Sequence, residues 1–155
     1  MSKKLLWRTT SSGPEQTERL GEALGPRLRG GECLELISDL GGGKTTFVRG
    51  LARGVGSPDT VSSPSFTLSN EYRGGSVLLY HFDFYRLNEP GIMRQELKEL
   101  VTDTEAVTVV EWADIVEDVL PPDTVTITMS ATGETSREIA CAYPETRAYL
   151  FEGLA

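Results

Sequence analysis

Apolar side chains recur along the chain with two different periods, and the switches between them mark out its elements. Leu20, Leu24 and Leu28 return every four residues behind Pro14, which is the spacing of one helix face, so a helix is expected to begin near Pro14. Ser12 followed by Glu15 forms a capping-box pattern ahead of it, and Gly25-Pro26 ends or kinks it. Residues 32–37 read as a short β run that enters a glycine cluster, and residues 45–51 then read as helix with Phe47, Val48 and Leu51 on its inner face. After a loop over 54–65, residues 66–72 and 76–84 flank Arg73-Gly74-Gly75, the spacing and turn chemistry of a hairpin. A helix over 89–101, an apolar strand over 106–111 ending in a carboxylate, and a short helix over 113–120 stopped by Pro121-Pro122 follow. Residues 124–130 and 137–142 surround a Thr132-Gly133 turn, and a last helix is expected from Glu145. Strands alternating with helices predict an α/β fold with a mixed sheet. No repeat or linker interrupts the pattern, so one continuous domain over 1–155 is expected.

Charge narrows the choice of partners. The chain has 155 residues, with 15 Lys+Arg against 23 Asp+Glu and a formal charge of −8. A surface built to wrap nucleic acid must neutralise phosphates with clustered basic residues, and the longest basic cluster is Lys3-Lys4. Leu5, Leu6 and Trp7 are cut short by Arg8, well below the apolar run that a signal peptide or a membrane span requires, so a cytoplasmic location is expected. Cys33 and Cys141 sit in separate apolar runs, which predicts two buried thiols rather than a disulfide framework or a metal cage.

The junction between the 32–37 strand and the 45–51 helix carries the strongest chemistry. Ser38-Asp39-Leu40-Gly41-Gly42-Gly43-Lys44-Thr45 matches G-x-x-x-x-G-K-[ST] everywhere except its first position, where Ser38 stands for glycine. Glycines let the backbone curl so that successive N–H groups converge on phosphate oxygens, and the following helix begins with its positive dipole end at the same place. Asp39, Leu40, Gly41, Gly42, Gly43, Lys44, Thr45 and Thr46 are therefore the expected phosphate-binding residues. Lys44 is placed to reach the β- and γ-phosphates, and the Thr45 hydroxyl is a natural Mg²⁺ ligand.

Such a loop needs acids to hold the metal or its water, commonly at the ends of apolar strands. Two are available. In residues 77–86 a period of two puts His81, Asp83 and Tyr85 on one face, and in residues 106–112 Glu111 closes an apolar run that should be central and buried. Asp83 and Glu111 are the candidate catalytic acids. His81, the only histidine, reads as a satisfied hydrogen-bonding group rather than a base or ligand, and neither a zinc cluster nor a Ser-His-Asp arrangement can be assembled around it.

The glycine loop, Ser63-Pro64-Ser65-Phe66-Thr67-Leu68, His81-Phe82-Asp83-Phe84-Tyr85-Arg86-Leu87 and Glu111-Trp112 occur in this order. Together they closely resemble the TsaE family, small bacterial P-loop ATPases of the tRNA threonylcarbamoyladenosine pathway. The resemblance runs from about Thr17 to Trp112, with a weaker echo around Arg137. It implies a P-loop NTPase-like three-layer fold, ATP and Mg²⁺ as ligands, weak hydrolysis by the chain alone, and work beside TsaB and TsaD. Those partners transfer the threonylcarbamoyl group to an adenosine next to the anticodon, so this chain would meet tRNA only through them. Carried over by position, Lys44 and the loop amides hold phosphates, Thr45 and Glu111 are metal ligands, and Asp83 acts on the metal or on the attacking water. Ser63 to Phe66 resemble a switch-like loop, and Thr17 and Arg137 fall near the nucleotide. Ser65 stands where threonine is usual, and Gly91-Ile92-Met93-Arg94 departs from the family at a partner-facing segment. Two other readings remain open at this point: a stand-alone P-loop kinase acting on a small hydroxylated substrate, with Arg86, Arg94 or Arg137 clamping the phosphoryl group, and a non-hydrolytic switch that docks to partners when ATP is bound.

Overall fold

The computed structural model describes residues 4–38, 43–57, 69–75, 77–84 and 91–154. Among the described residues, seven strands form one sheet in the order β1-β7-β6-β2-β5-β4-β3. They are β1 (Lys4–Ser11), β2 (Cys33–Ser38), β3 (Ser69–Arg73), β4 (Leu78–Asp83), β5 (Ala106–Glu111), β6 (Val125–Ala131) and β7 (Arg137–Pro144), and the helices are α1 (Pro14–Leu24), α2 (Lys44–Gly54) and α3 (Gly91–Leu100). The neighbouring strands β4, β5, β2 and β6 run parallel, while β3 pairs antiparallel with β4 on one side and β7 pairs antiparallel with both β6 and β1 on the other. The mixed α/β sheet expected from the alternating pattern is present. Residues 66–68, 76 and 89–90, where the pattern predicts parts of the hairpin and of the third helix, lie outside the described residues.

Parallel strands bury both faces, and here each face has its own apolar layer. Leu34, Leu36, Leu79, Val107, Val109 and Ile127 pack beneath α1 and α2 with Leu20, Leu24, Phe47, Val48 and Leu51. On the other face Cys33, Phe82, Phe84 and Val110 pack with Leu97 of α3 and with Ala113 and Val116. Both cysteines are free and buried, and burial pushes the Cys33 thiol up to about 11 and the Cys141 thiol up to about 12. At the amino end of β2, buried Glu32 accepts bonds from the Arg29 and Gly30 amides, both at 2.8 Å, and from the Tyr149 hydroxyl at 2.5 Å. This network ties the C-terminal segment to the end of β2 away from Ser38. Among the described residues, no helix is long and apolar enough to cross a membrane.

Several local expectations change. The capping box at Ser12 and Glu15 does not form. Pro14 occupies the first helical position, so the cap falls on Gly13, and Gln16 rather than Glu15 reaches back to accept from the Ser12 amide at 2.8 Å. The short helices expected after β5 and at Glu145 are present, and both are wound as 3-10 helices, over 113–119 and 145–150. Strand β1 has no alternating pattern in the sequence, because Leu5 and Leu6 stand side by side. Both are exposed on this edge strand, which is held by its ladder to β7 and by Trp7 against Phe151, ring centroids 5.8 Å apart.

Two glycines set how closely α1 and α2 approach. A Cβ on Gly21 would lie 2.4 Å from the Phe47 carbonyl oxygen, and one on Gly50 would lie 2.0 Å from the Glu18 carbonyl oxygen. Neither distance is tolerable, so the crossing admits only glycine there, and it fixes the helix that begins at Lys44. Alanine in an exposed helix interior would add roughly 1 kcal/mol of stability over glycine. At this crossing the sign reverses: Gly50→Ala is expected to destabilise the chain by about 1–3 kcal/mol in urea unfolding, and a neutral or stabilising effect would contradict the close helix contact.

Candidate functional site

The carboxyl ends of β2, β5 and β4 lie side by side, because register pairs Leu36 with Glu111 and Glu111 with Asp83. Crevices beyond the carboxyl ends of parallel strands are where open α/β sheets bind ligands. From β2 the chain leaves Ser38 toward α2. Asp39, Leu40, Gly41 and Gly42 lie outside the described residues, as do Ser63 to Phe66, Tyr85, Arg86 and Leu87. Gly43 caps α2 with φ 99°, a left-handed conformation that explains glycine at this position. Its carbonyl oxygen accepts from the Phe47 amide at 2.9 Å.

Lys44 is the first residue of α2 and is 8% exposed. Its ammonium donates to the Ser38 carbonyl oxygen at 3.2 Å, stands 3.6 Å from Oε1 of Glu111, and lies 4.7 Å from the centre of the Trp112 ring. Glu111 is itself buried, and its second oxygen, Oε2, is hydrogen-bonded to Nε2 of buried His81. An uncompensated charge this deep would be costly, so each of the two ions is the condition for keeping the other. Trp112 reaches the lysine through a backbone with φ 55°, the only positive φ among the described non-glycine residues. A left-handed conformation costs an ordinary residue roughly 1–2 kcal/mol, and here it turns the indole over Lys44.

Thr45 and Thr46 follow in the first turn of α2, both half-buried. Asp83 is half-buried at the end of β4, level with Glu111. On the α1 side, Gly43, Thr46, Thr17, Pro14 and Arg137 line a cavity of about 150 Å³, which brings Arg137 to the helix start despite its distance in sequence. The Arg137 guanidinium donates to the Ser136 carbonyl oxygen at 2.8 Å, and the Thr17 hydroxyl is 2.8 Å from that of Ser11. Arg94 is engaged elsewhere, in an ion pair with Asp118. Among the described residues, no three His, Cys, Asp or Glu side chains are grouped as a metal cage. Oxygen donors at Thr45, Asp83 and Glu111 suit a hard cation that keeps water and phosphate in its coordination shell.

Sequence reasoning did not foresee the bond from His81 to Glu111 or the indole over Lys44. The first could have been suspected from the alternation that puts His81 two residues before Asp83 on the same face. No sequence pattern announces a left-handed tryptophan.

A family model described as "Threonylcarbamoyl adenosine biosynthesis protein TsaE" matches residues 11–139. A Bacillus subtilis relative named "tRNA threonylcarbamoyladenosine biosynthesis protein TsaE" is 38% identical over 141 residues, covering 88% of this chain and 84% of its own. A relative of the same name from Treponema pallidum is 38% identical over 136 residues, covering 87% of this chain and 99% of its own. Among solved structures, Bacillus subtilis YdiB superposes with a TM-score of 0.76 at 35% identity, over 98% of this chain and 94% of that one.

Lys44 and Trp112 also line a cavity of about 120 Å³ on the other side of β2, with Glu35 and Asp114 in its wall. Partial burial raises the Glu35 carboxyl above its ordinary value of 4.5, and Glu117 and Asp114 push the same way, while the bond from the Thr126 hydroxyl opposes them. A carboxyl raised in the folded state is no burden below its unfolded value and costs stability as pH rises through the folded one. Glu35→Gln retains an acceptor for Thr126 and is expected to raise Tm at pH 7, with the gain disappearing below pH 4.5. A gain that persists in acid, or a loss at pH 7, would contradict the assignment.

Proposed function

Because the chain belongs to the TsaE family, we propose that it is the ATP-binding and weakly hydrolysing accessory subunit for threonylcarbamoyl modification of adenosine next to the anticodon in tRNA, acting with a TsaB–TsaD type pair. The observation that carries the nucleotide part is Lys44. Its ammonium stands at the amino end of α2 beside Glu111, where a phosphate would meet both a lysine and a helix dipole. The acidic balance of the chain, −8 overall, supports leaving tRNA to the partners, since phosphate contacts require basic surface. The same reading makes the chain one continuous domain and a cytoplasmic one.

Lys44 exchanges its contacts with Glu111 and the Ser38 carbonyl for the β- and γ-phosphates, while the amides of the glycine loop, from Asp39 to Gly43, and the first turn of α2 receive the remaining oxygens. Mg²⁺, when bound, neutralises the charge that develops on the transferring phosphoryl group. The Thr45 hydroxyl with Glu111 and Asp83 would hold it, and one of the two acids orients the attacking water. Thr46, in that first turn, serves the phosphates, and Arg137, facing the cavity beside Gly43, contacts the nucleotide.

Isothermal titration separates these roles. Lys44→Ala is expected to weaken MgATP binding by about 100-fold or more, the scale of a lost charge-assisted bond, while its far-UV dichroism stays that of the parent; unchanged affinity would sink the site assignment. Glu111→Gln is expected to keep ATP binding and lose turnover, since the acid serves metal or water and not phosphate. Normal phosphate release by that variant would refute its role.

A further inference from the structure

His81 is buried on β4 with 0% exposure, and the reading above gives it no task. Its backbone is level with Val109 of β5, not with Glu111, so the ring reaches two residues along the strand direction to place Nε2 against Oε2 of Glu111. The other ring nitrogen, Nδ1, is buried without a hydrogen-bond partner among the described residues. Buried N–H groups without acceptors are rarer than under-satisfied acceptors, and the Glu111 carboxylate is acceptor-only. Both facts put the ring proton on Nε2, donating to Glu111.

We propose that His81 is the positioning residue for Glu111, holding that carboxylate in place when Lys44 leaves it for phosphate. This rests on the ATPase reading of the same site. Among the described residues Glu111 has two partners, one on each oxygen: Lys44 on Oε1 and His81 on Oε2. The first partner is a flexible side chain that a phosphate competes for. The second is fixed by the strand and by complete burial, so it stays. With His81 in place, Oε1 keeps its direction toward the helix start as the lysine withdraws. Without it, Glu111 would keep an unsatisfied buried oxygen and would be free to follow Lys44 out of position. Partners of this kind, one step removed from a ligand, change activity by about 10- to 100-fold when removed.

The test compares His81→Phe, which fills the volume without a donor, with His81→Gln, which restores one, each alone and in a Glu111→Gln background. His81→Phe is expected to lower kcat about tenfold or more with KM for ATP within about twofold, and His81→Gln to recover part of the loss. In the Glu111→Gln background the His81 substitution is expected to add nothing to the residual rate. Wild-type kcat in His81→Phe, or an equal further loss without Glu111, would overturn the proposal. Nitrogen-15 labelling of this only histidine gives a check on the unmutated ring: an Nε2–H proton far downfield and slow to exchange, shifting upfield in Glu111→Gln, is expected, and an Nδ1–H tautomer would refute the assignment. Absence of any ATP turnover in the parent chain would remove the ATPase reading and the proposal together. A Glu111-dependent rate untouched by His81→Phe would remove the proposal alone.

Discussion

A buried lysine and a buried glutamate face each other across 3.6 Å where β2 gives way to α2 and β5 ends. Taking both ions out of water is expensive, and a pair of apolar residues would often be as stable or more so. The surrounding structure is arranged to make the pair tolerable: His81 satisfies the second glutamate oxygen, the Ser38 carbonyl accepts from the ammonium, and the Trp112 ring covers it. The parallel strands β4, β5 and β2 bring these groups together, since their register aligns Asp83, Glu111 and Leu36. The glycine crossing of α1 on α2 then holds the helix that carries Lys44. An ion pair kept at this cost, with a helix amino end beside it, is suited to an incoming anion that can take the lysine.

The arrangement is also self-contained. Each charge has an internal partner, so the site can persist without ligand, and a phosphate has to compete with Glu111 for Lys44. Competition of this kind moderates affinity, because the lysine's new contacts are offset by those it gives up. It also makes Glu111 the group whose surroundings change most when a ligand arrives. The proposed slow hydrolysis, awaiting partners, fits such a site, and the chain's net charge of −8 fits the proposed role beside RNA-binding components.

Much of this was legible in the sequence because it rests on local patterns. The strand, glycine cluster and helix around Lys44 follow from periodicity and from the freedom that Gly43 needs at φ 99°. The burial of Glu111 follows from the apolar run before it, and two buried thiols from theirs. Strand β1 escaped because an edge strand needs no strict alternation, and it is held by pairing with β7, which lies at the far end of the chain. The helix cap moved from Ser12 to Gly13 because Pro14 takes the first helical position. His81 and Trp112 depend on neighbours across strands and on one unusual backbone angle, neither of which a single sequence displays. Arg137 beside Gly43 is a matter of tertiary structure, reached only through the resemblance to the family.

The most direct test of the central claim, that Lys44 and Glu111 guard a site for MgATP, is thermal unfolding of the chain with Mg²⁺ and ATP, with Mg²⁺ and GTP, and with Mg²⁺ alone. A ligand at 100 times its dissociation constant adds about 2.7 kcal/mol to the folded state, so a clear rise in Tm with ATP, larger than with GTP, is the predicted result. An unfolding curve that ATP leaves unmoved at millimolar concentration would contradict the account.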